Sequence, residues 1–231
     1  MTFVSKVAVV TGGSRGIGRS IADSLAKENI LVYVCSKNPR SLEQAQQFFA
    51  ENPRIKVREL DITVPTEVET FFNSVYEEHQ RLDILINSAG ISILSDLESE
   101  QDIQIWRRII ETNLTGTYLC SRMAVLKMRE NRWGRIINLA SVMGLRGGRN
   151  ASAYCAAKHG VVGLTRAIAL DVIDWNITVN AICPGWVKTD MGYESMKAIS
   201  EYYHIDSQEF MKAELNAIPL GRWIEPEEIA G

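Results

Sequence analysis

The sequence predicts one α/β domain, a doubly wound parallel sheet with helices on both faces, and three observations carry that prediction. Short apolar runs rich in Val and Ile alternate six times with stretches of helical periodicity. The first run ends in a glycine-rich turn from which a helix starts. The 231 residues are 46% apolar and 23% charged, with 16 Gly and only 6 Pro, the balance of a compact domain. A chain of this length buries roughly 70% of the surface its unfolded form exposes, so it needs no disulfide or metal staple.

The elements follow in order. Residues 6–11 (KVAVVT) read as a strand, and Ile17, Ile21 and Leu25 then recur at helical spacing. Residues 30–35 (ILVYVC) are apolar throughout, as in a strand covered on both faces, and Pro39 suits a helix start. A strand at 54–60, a helix at 67–79 and a strand at 82–87 continue the alternation. A helical stretch near 101–110 leads into a long helix from about 113 to 130, followed by a strand at 135–140. A helix at about 151–174 and a strand at 177–182 complete six strands. No repeat or linker interrupts them, so residues 1–231 are read as one domain. From about 185 to 219 acids, tyrosines and methionines crowd two short amphipathic pieces, at 194–200 and 207–217. A long excursion after the last strand's carboxyl end is where such a fold places a substrate lid; a packed surface helix pair is the plainer alternative.

Charge and cysteine usage narrow the function. The 25 Lys and Arg against 28 Asp and Glu give a net charge of −3 with no long run of either sign. Nucleic acid and anionic membranes are therefore not expected as partners. The opening MTFVSKVAVVTGG is too short in apolar residues for a secretory leader, and 18 apolar residues never follow one another, which points to a cytoplasmic protein. Cys35, Cys120, Cys155 and Cys183 match neither zinc-ligand nor CxxC spacing and read as reduced thiols. His79, His159 and His204 are equally scattered, so no metal site is expected.

Three groups of residues can carry chemistry. The turn Thr11-Gly12-Gly13-Ser14-Arg15-Gly16-Ile17-Gly18 joins a strand to a helix. Glycines let backbone approach a pyrophosphate, and the free N–H groups of a helix start attract its charge, although a tight structural turn has the same composition. At the end of the second strand, where a fold of this kind that prefers NAD carries an acid for the ribose 2′-hydroxyl, the chain has Ser36 followed by Lys37. With Arg15 in the glycine turn, two cations can converge on a 2′-phosphate, which favours NADP. Solvated surface cations are the alternative.

Tyr154 and Lys158 stand four apart near a helix start and so share one face. An ammonium beside a phenol lowers its pKa and fits it to exchange a proton with an alcohol oxygen. As an isolated pair this spacing is more often a helix-surface contact. Ser141 just follows a strand, at the edge where ligands of such sheets bind, or serves there as a turn or cap residue. Asn113 falls in mid-helix, unfavourable unless its side chain has a specific partner.

Together these residues resemble the short-chain dehydrogenase/reductases, whose fold is of the Rossmann type. The resemblance runs in order through the TGGSRGIG turn, Asp61, Asn87-Ser88-Ala89-Gly90, Asn113, Ser141, Tyr154-Cys155-Ala156-Ala157-Lys158, Pro184-Gly185 and Thr189. It implies that Tyr154 is the general acid and that Lys158 lowers its pKa and binds the nicotinamide ribose. Ser141 would hold the substrate carbonyl and Asn113 a water of the proton relay. It further implies an NADP site of Gly12, Ser14, Arg15, Gly16, Ile17, Gly18, Ser36, Lys37, Asp61, Ile62, Asn87, Ala89, Gly90, Tyr154, Lys158, Pro184, Gly185, Val187 and Thr189. Ser88 departs from the Asn frequent there.

Within that family the chain is most similar to 3-oxoacyl-acyl-carrier-protein reductases, through Arg132-Trp133-Gly134-Arg135, Ile177-Thr178-Val179-Asn180 and the 185–191 stretch. The similarity implies reduction of a ketone in fatty acid biosynthesis, an acyl carrier protein gripped through Arg132, and a homotetramer. Trp175 replaces a second basic carrier-binding position, and the stretch Tyr202-Tyr203-His204-Ile205-Asp206 is longer than in those reductases, so sugar, polyol and steroid ketones stay open. A nucleotide sensor without catalysis is the competing class. A last helix starting at Pro226 is too short to stand alone, and the family's seventh strand is missing after it, so the sheet is expected to end at an uncovered edge in an incomplete chain.

Overall fold

The computed structural model describes residues 6–231; the first five residues, part of the opening stretch read above for a leader, lie outside it. Six parallel strands form one sheet in the order β3-β2-β1-β4-β5-β6. They are β1 (Val7–Thr11), β2 (Leu31–Ser36), β3 (Ile55–Glu59), β4 (Ile84–Asn87), β5 (Gly134–Leu139) and β6 (Ile177–Ile182). The central strands are apolar on both faces because both are covered: all of β1 is buried. On one face Phe71, Phe72 and Val75 of α3 (Pro65–His79) and Cys120, Met123 and Met128 of α5 (Gly116–Asn131) pack on the sheet. On the other lie Ile21, Ala22 and Ala26 of α1 (Gly16–Lys27) and Ala45 of α2 (Pro39–Phe48). The chain leaves β1 toward β2 on one side and returns from β3 to β4 on the other, opening a crevice at the carboxyl ends of β1 and β4.

Several boundaries differ from the sequence expectation for local reasons. The helix expected near 67 begins at Pro65, whose fixed φ suits a first helical position. The two helical stretches expected at 101–110 and 113–130 are one rod: α4 (Asp102–Ile110) continues through a π-turn (Glu111–Thr115) into α5. The helix expected to reach 174 is α6 (Ser152–Asp171), followed by one 3₁₀ turn that Asn176 ends in the left-handed region at φ 57°. In the 185–219 stretch α7 (Asp190–Tyr202) starts earlier than expected because the Thr189 hydroxyl caps it, and α8 (Ser207–Asn216) is capped by Asp206.

The expectation that the closing helix lacks support is corrected. α9 (Pro226–Ala230) places Ile229 and Ala230 in the cluster that covers α1, and Ser20 donates to Glu227. A reciprocal capping box between Glu225 and Glu228 and a paired contact of Arg222 with Glu228 hold its start. Among the described residues the outer edge of β6 carries no further strand, and the only isolated bridge joins Val187 to Ile224. No helix among them is long and apolar enough to cross a membrane.

Candidate active site

The glycine turn lies at the head of the crevice. Gly12 adopts φ +64°, and a Cβ there would come 2.6 Å from the Ala89 Cα; a Cβ at Gly18 would meet the Gly12 carbonyl at 2.6 Å. Both positions therefore need glycine on steric grounds. Gly16 is also at positive φ, and a Cβ there would come 3.1 Å from the Thr189 methyl, so the 185–189 segment runs close to this turn. No side chain caps the start of α1, so its first N–H groups stay open to an anion. A dinucleotide pyrophosphate fits that cradle: bare backbone, unpaired donors and no obstructing Cβ. We expect Gly12→Ala to lower stability by about 2–4 kcal/mol through strain and overlap. Thermal unfolding checks it; a midpoint within about 2 °C of wild type would contradict the steric reading.

The flanking cations do not stand free. Lys37 pairs with Asp61 at 3.1 Å, and Arg15 faces Asp190, the first residue of α7, at 3.8 Å. Each has been drawn to a neighbouring carboxylate instead of converging on the other. Asp61 also accepts from the Thr63 N–H and hydroxyl. Burial works to raise its pKa, but the Thr63 bonds and the Lys37 ammonium together hold it below the ordinary aspartate value. Ser36 ends β2 and accepts from the Asn38 N–H, while Ile62 is buried against Gly116.

Asn87 is placed differently from the cofactor-facing role expected of it. Its side chain is buried and donates to Ser121 and Asn138, and Asn138 passes the chain on to Thr165. From Asn87 the backbone leads through Ser88 to Ala89, whose N–H reaches the Thr11 hydroxyl. The row Ser121, Asn138 and Thr165 escaped sequence reasoning, because isolated polar residues in helices and strands give no spacing signal. It ties β4, β5, α5 and α6 together under the site.

The reacting groups meet at the carboxyl ends of β5 and β6. Ser141 takes the capping role weighed for it, its hydroxyl accepting from the Met143 N–H, and that hydroxyl also lies near enough to the Tyr154 phenol to influence its titration. Burial raises the Tyr154 pKa, and the Ser141 hydroxyl works against that rise. Lys158 is 6% exposed, donates to the Leu139 carbonyl at 2.7 Å, and has its Nζ 5.6 Å from the Tyr154 ring centre. Burial brings its pKa down to about 8. Asn113 has the partner its mid-helix position demanded: its side chain accepts from the Ile91 N–H and donates to the Ile91 carbonyl, both at 2.8 Å. That pins Gly90 next to Lys158, since a Cβ on Gly90 would lie 3.8 Å from Nζ.

The remaining nominated residues frame this pocket. Pro184 accepts from the Val142 N–H, and Gly185 has open space where a Cβ would go. Val187 is buried and bridges Ile224, and Thr189 caps α7. Trp186 donates to Glu214 and packs edge-on with Trp223, which Tyr193 also meets, tying the start of α7 to α8 and the segment before α9. At the end of α7, Tyr202 donates to Asp96 and Tyr203 to Asn150, whose carbonyl accepts from the Ser95 N–H. Arg132 lies elsewhere. It precedes β5, at the strand end opposite Ser141, and donates to the Asp174 carbonyl. A strand of five to six residues puts about 17–20 Å between those ends.

A cofactor cradle and a Ser-Tyr-Lys cluster in one crevice of a doubly wound sheet define a dinucleotide-dependent oxidoreductase. Residues 6–199 match the family model described as short chain dehydrogenase, and the chain belongs to that family. It is 35% identical to the 3-oxoacyl-acyl-carrier-protein reductase FabG of Vibrio cholerae over 100% of this chain and 88% of that one. Among solved structures it is similar to a variant of actinorhodin polyketide ketoreductase with NADPH, with a TM-score of 0.92 and 35% identity over 98% of this chain and 87% of the other. An NAD+-bound xylitol dehydrogenase is 28% identical with a TM-score of 0.91, over 100% of this chain and 91% of the other.

Proposed function

We propose that this chain reduces a ketone to a secondary alcohol with NADPH, and that its substrate is a 3-oxoacyl thioester presented by an acyl carrier protein in the cytoplasm, with a homotetramer as the working assembly. The observation that carries the reading is the meeting of Ser141, Tyr154 and Lys158 beside the glycine cradle. The names of the similar ketoreductases support the substrate class.

Bound in the crevice, the cofactor would supply a hydride to the carbonyl carbon. The open N–H groups of α1, with Gly12, Ser14, Arg15, Gly16, Ile17 and Gly18 around them, would hold its pyrophosphate. Arg15, Ser36 and Lys37 would meet its 2′-phosphate, and Asp61 with Ile62 its adenine. Ser141 orients the carbonyl oxygen by donating its hydroxyl proton in a hydrogen bond. Tyr154 gives that oxygen its phenol proton as the C–H bond forms. The Lys158 ammonium stabilises the phenolate left behind and starts its reprotonation. Asn113 keeps the Gly90–Ile91 backbone in place against Lys158.

NADPH consumption over a panel of 3-oxoacyl thioesters, cyclic diketones, sugars and steroid ketones tests the reading. Turnover of thioesters ahead of the rest supports it. Cofactor binding without turnover on any member would favour a sensor. A second reading, oxidation of a sugar or polyol alcohol, is favoured by the likeness to the xylitol enzyme, and faster NADP reduction with polyols than ketone reduction would establish it.

Cofactor choice has its own test. The pairs that hold Arg15 and Lys37 are half-exposed and weak, so a 2′-phosphate can displace their carboxylates at little cost. Wild type should prefer NADPH, and Ser36→Asp should shift the efficiency ratio toward NADH by about tenfold or more, since the carboxylate repels phosphate and accepts from a 2′-hydroxyl. Equal or better efficiency of wild type with NADH would show that neither cation reads the phosphate.

A further inference from the structure

The loop that links Ser141 to Tyr154 carries Leu145, Arg146, Gly147, Gly148 and Arg149, all exposed. Neither arginine makes an ion pair or a side-chain hydrogen bond among the described residues. Their neighbours around the crevice differ: Arg15, Lys37, Lys188 and Arg222 each face a carboxylate. Leu145 is 61% exposed and Leu97 80% exposed. The Ser95 N–H to Asn150 carbonyl bond joins their two loops. Leu97 stands between Asp96, which accepts from the Tyr202 phenol, and the exposed Glu98 and Glu100, so the cationic surface is confined to the 145–149 loop.

This combination suits a partner of opposite charge. An exposed leucine beside two unpaired arginines has the composition of an interface centre and its steering charges. The loop is anchored at both ends, by the Ser141 cap and by Asn150 clamped between Ser95 and Tyr203, so the arginines stand at a fixed place. Arg146 is five positions from Ser141 and Arg149 five from Tyr154, so chain reach limits each backbone separation to about 17 Å. A partner landing here can pass a flexible arm inward and bring a reacting carbonyl to Ser141 and Tyr154. Arg132, at the other end of β5, cannot serve that path within one subunit.

We propose that Arg146 and Arg149, with Leu145 between the Ser141 turn and them, form the landing surface for an acidic carrier protein that delivers its thioester-bound substrate into this crevice. The proposal rests on the reductase reading and names where its partner docks. Two measurements test it on the full chain. In the first, Arg146→Glu with Arg149→Glu is assayed against a carrier-bound 3-oxoacyl group, the matching coenzyme A thioester and a small uncharged thioester analogue. A KM increase of about tenfold or more for the carrier-bound substrate alone, with kcat and both other substrates unchanged, is expected. Equal loss on the coenzyme A thioester would mean that phosphate is read and no protein surface is. Equal loss on all three, or loss only in Arg132→Glu, would also overturn the proposal.

In the second, binding of a fluorescently labelled acyl carrier protein is followed by anisotropy without turnover. Salt-sensitive binding to wild type that weakens about tenfold in the double variant supports the surface even if the thioesters prove not to be substrates. Absence of wild-type binding, or binding that the double variant retains, overturns it while leaving the reductase reading to its own assay.

Discussion

Tyr154→Phe is expected to cut turnover by about a thousandfold while NADPH binding stays within about twofold of wild type. The substitution removes one hydroxyl and almost no volume, so packing around the ring is retained. What it removes is the proton donor that stands beside Ser141 and across from the Lys158 ammonium. A positioned general acid is worth about 10²–10⁴ in rate, and no other side chain here can replace it: the Ser141 hydroxyl is far too weak an acid, and Lys158 is turned to the Leu139 carbonyl. Single-turnover oxidation of NADPH with a reactive diketone, beside a cofactor titration, separates chemistry from binding. Retention of more than about a tenth of the wild-type rate would remove Tyr154 from the role.

Lys158→Met should produce a protein that is more stable and nearly inert. The ammonium is buried without a carboxylate partner, which is why its pKa falls from 10.5 to about 8. A depression of that size means burial of the charge costs on the order of 3 kcal/mol at neutral pH. Met keeps the stem's volume and abolishes that cost, while the Leu139 carbonyl loses a donor worth about 1–2 kcal/mol. The net expectation is a midpoint a few degrees above wild type at pH 7. The sign of the pH dependence follows. Between about 8 and 10.5 the unfolded chain binds more protons at this residue than the folded one, so wild-type stability gains on the variant as pH rises through that window. Turnover should fall by about a hundredfold or more, because the phenolate left on Tyr154 is no longer stabilised. A Met variant less stable than wild type at pH 7 would show that the buried charge is compensated by contacts not recognised above.

The sheet was legible because its signals are local. Val7 to Val10 and Val32 to Cys35 are apolar without alternation, which only a strand covered on both faces requires. The site was legible where chemistry forces a spacing: Tyr154 and Lys158 share a helix face, and Gly12 and Gly18 sit where any Cβ would strike backbone. Asn113 announced itself by being wrong for a helix. What stayed hidden depends on tertiary neighbours. That Lys37 turns to Asp61 and Arg15 to Asp190 follows from which carboxylates the fold brings near, and the sequence distances give no hint of it. The Asn87, Asn138 and Thr165 row is invisible for the same reason. The support of α9 by α1 pairs residues some 200 positions apart, as Ser20 and Glu227 illustrate.

The π-turn within the long rod settles a conflict of orientation. Before it, Ile105 and Ile109 face Ala153 and Ala157 of α6; after it, Cys120, Met123 and Met128 face α3 and the sheet. A straight α-helix keeps one apolar stripe in nearly constant phase and cannot turn it toward a second neighbour over so few residues. One extra residue in a single wide turn advances the stripe by about 100° without ending the helix. The rod is thus two helices in phase terms and one in mechanical terms. Deleting a residue from this turn would leave a regular helix whose far half points Met123 and Met128 away from the sheet, with Asn113 carried off Ile91 by the same rotation.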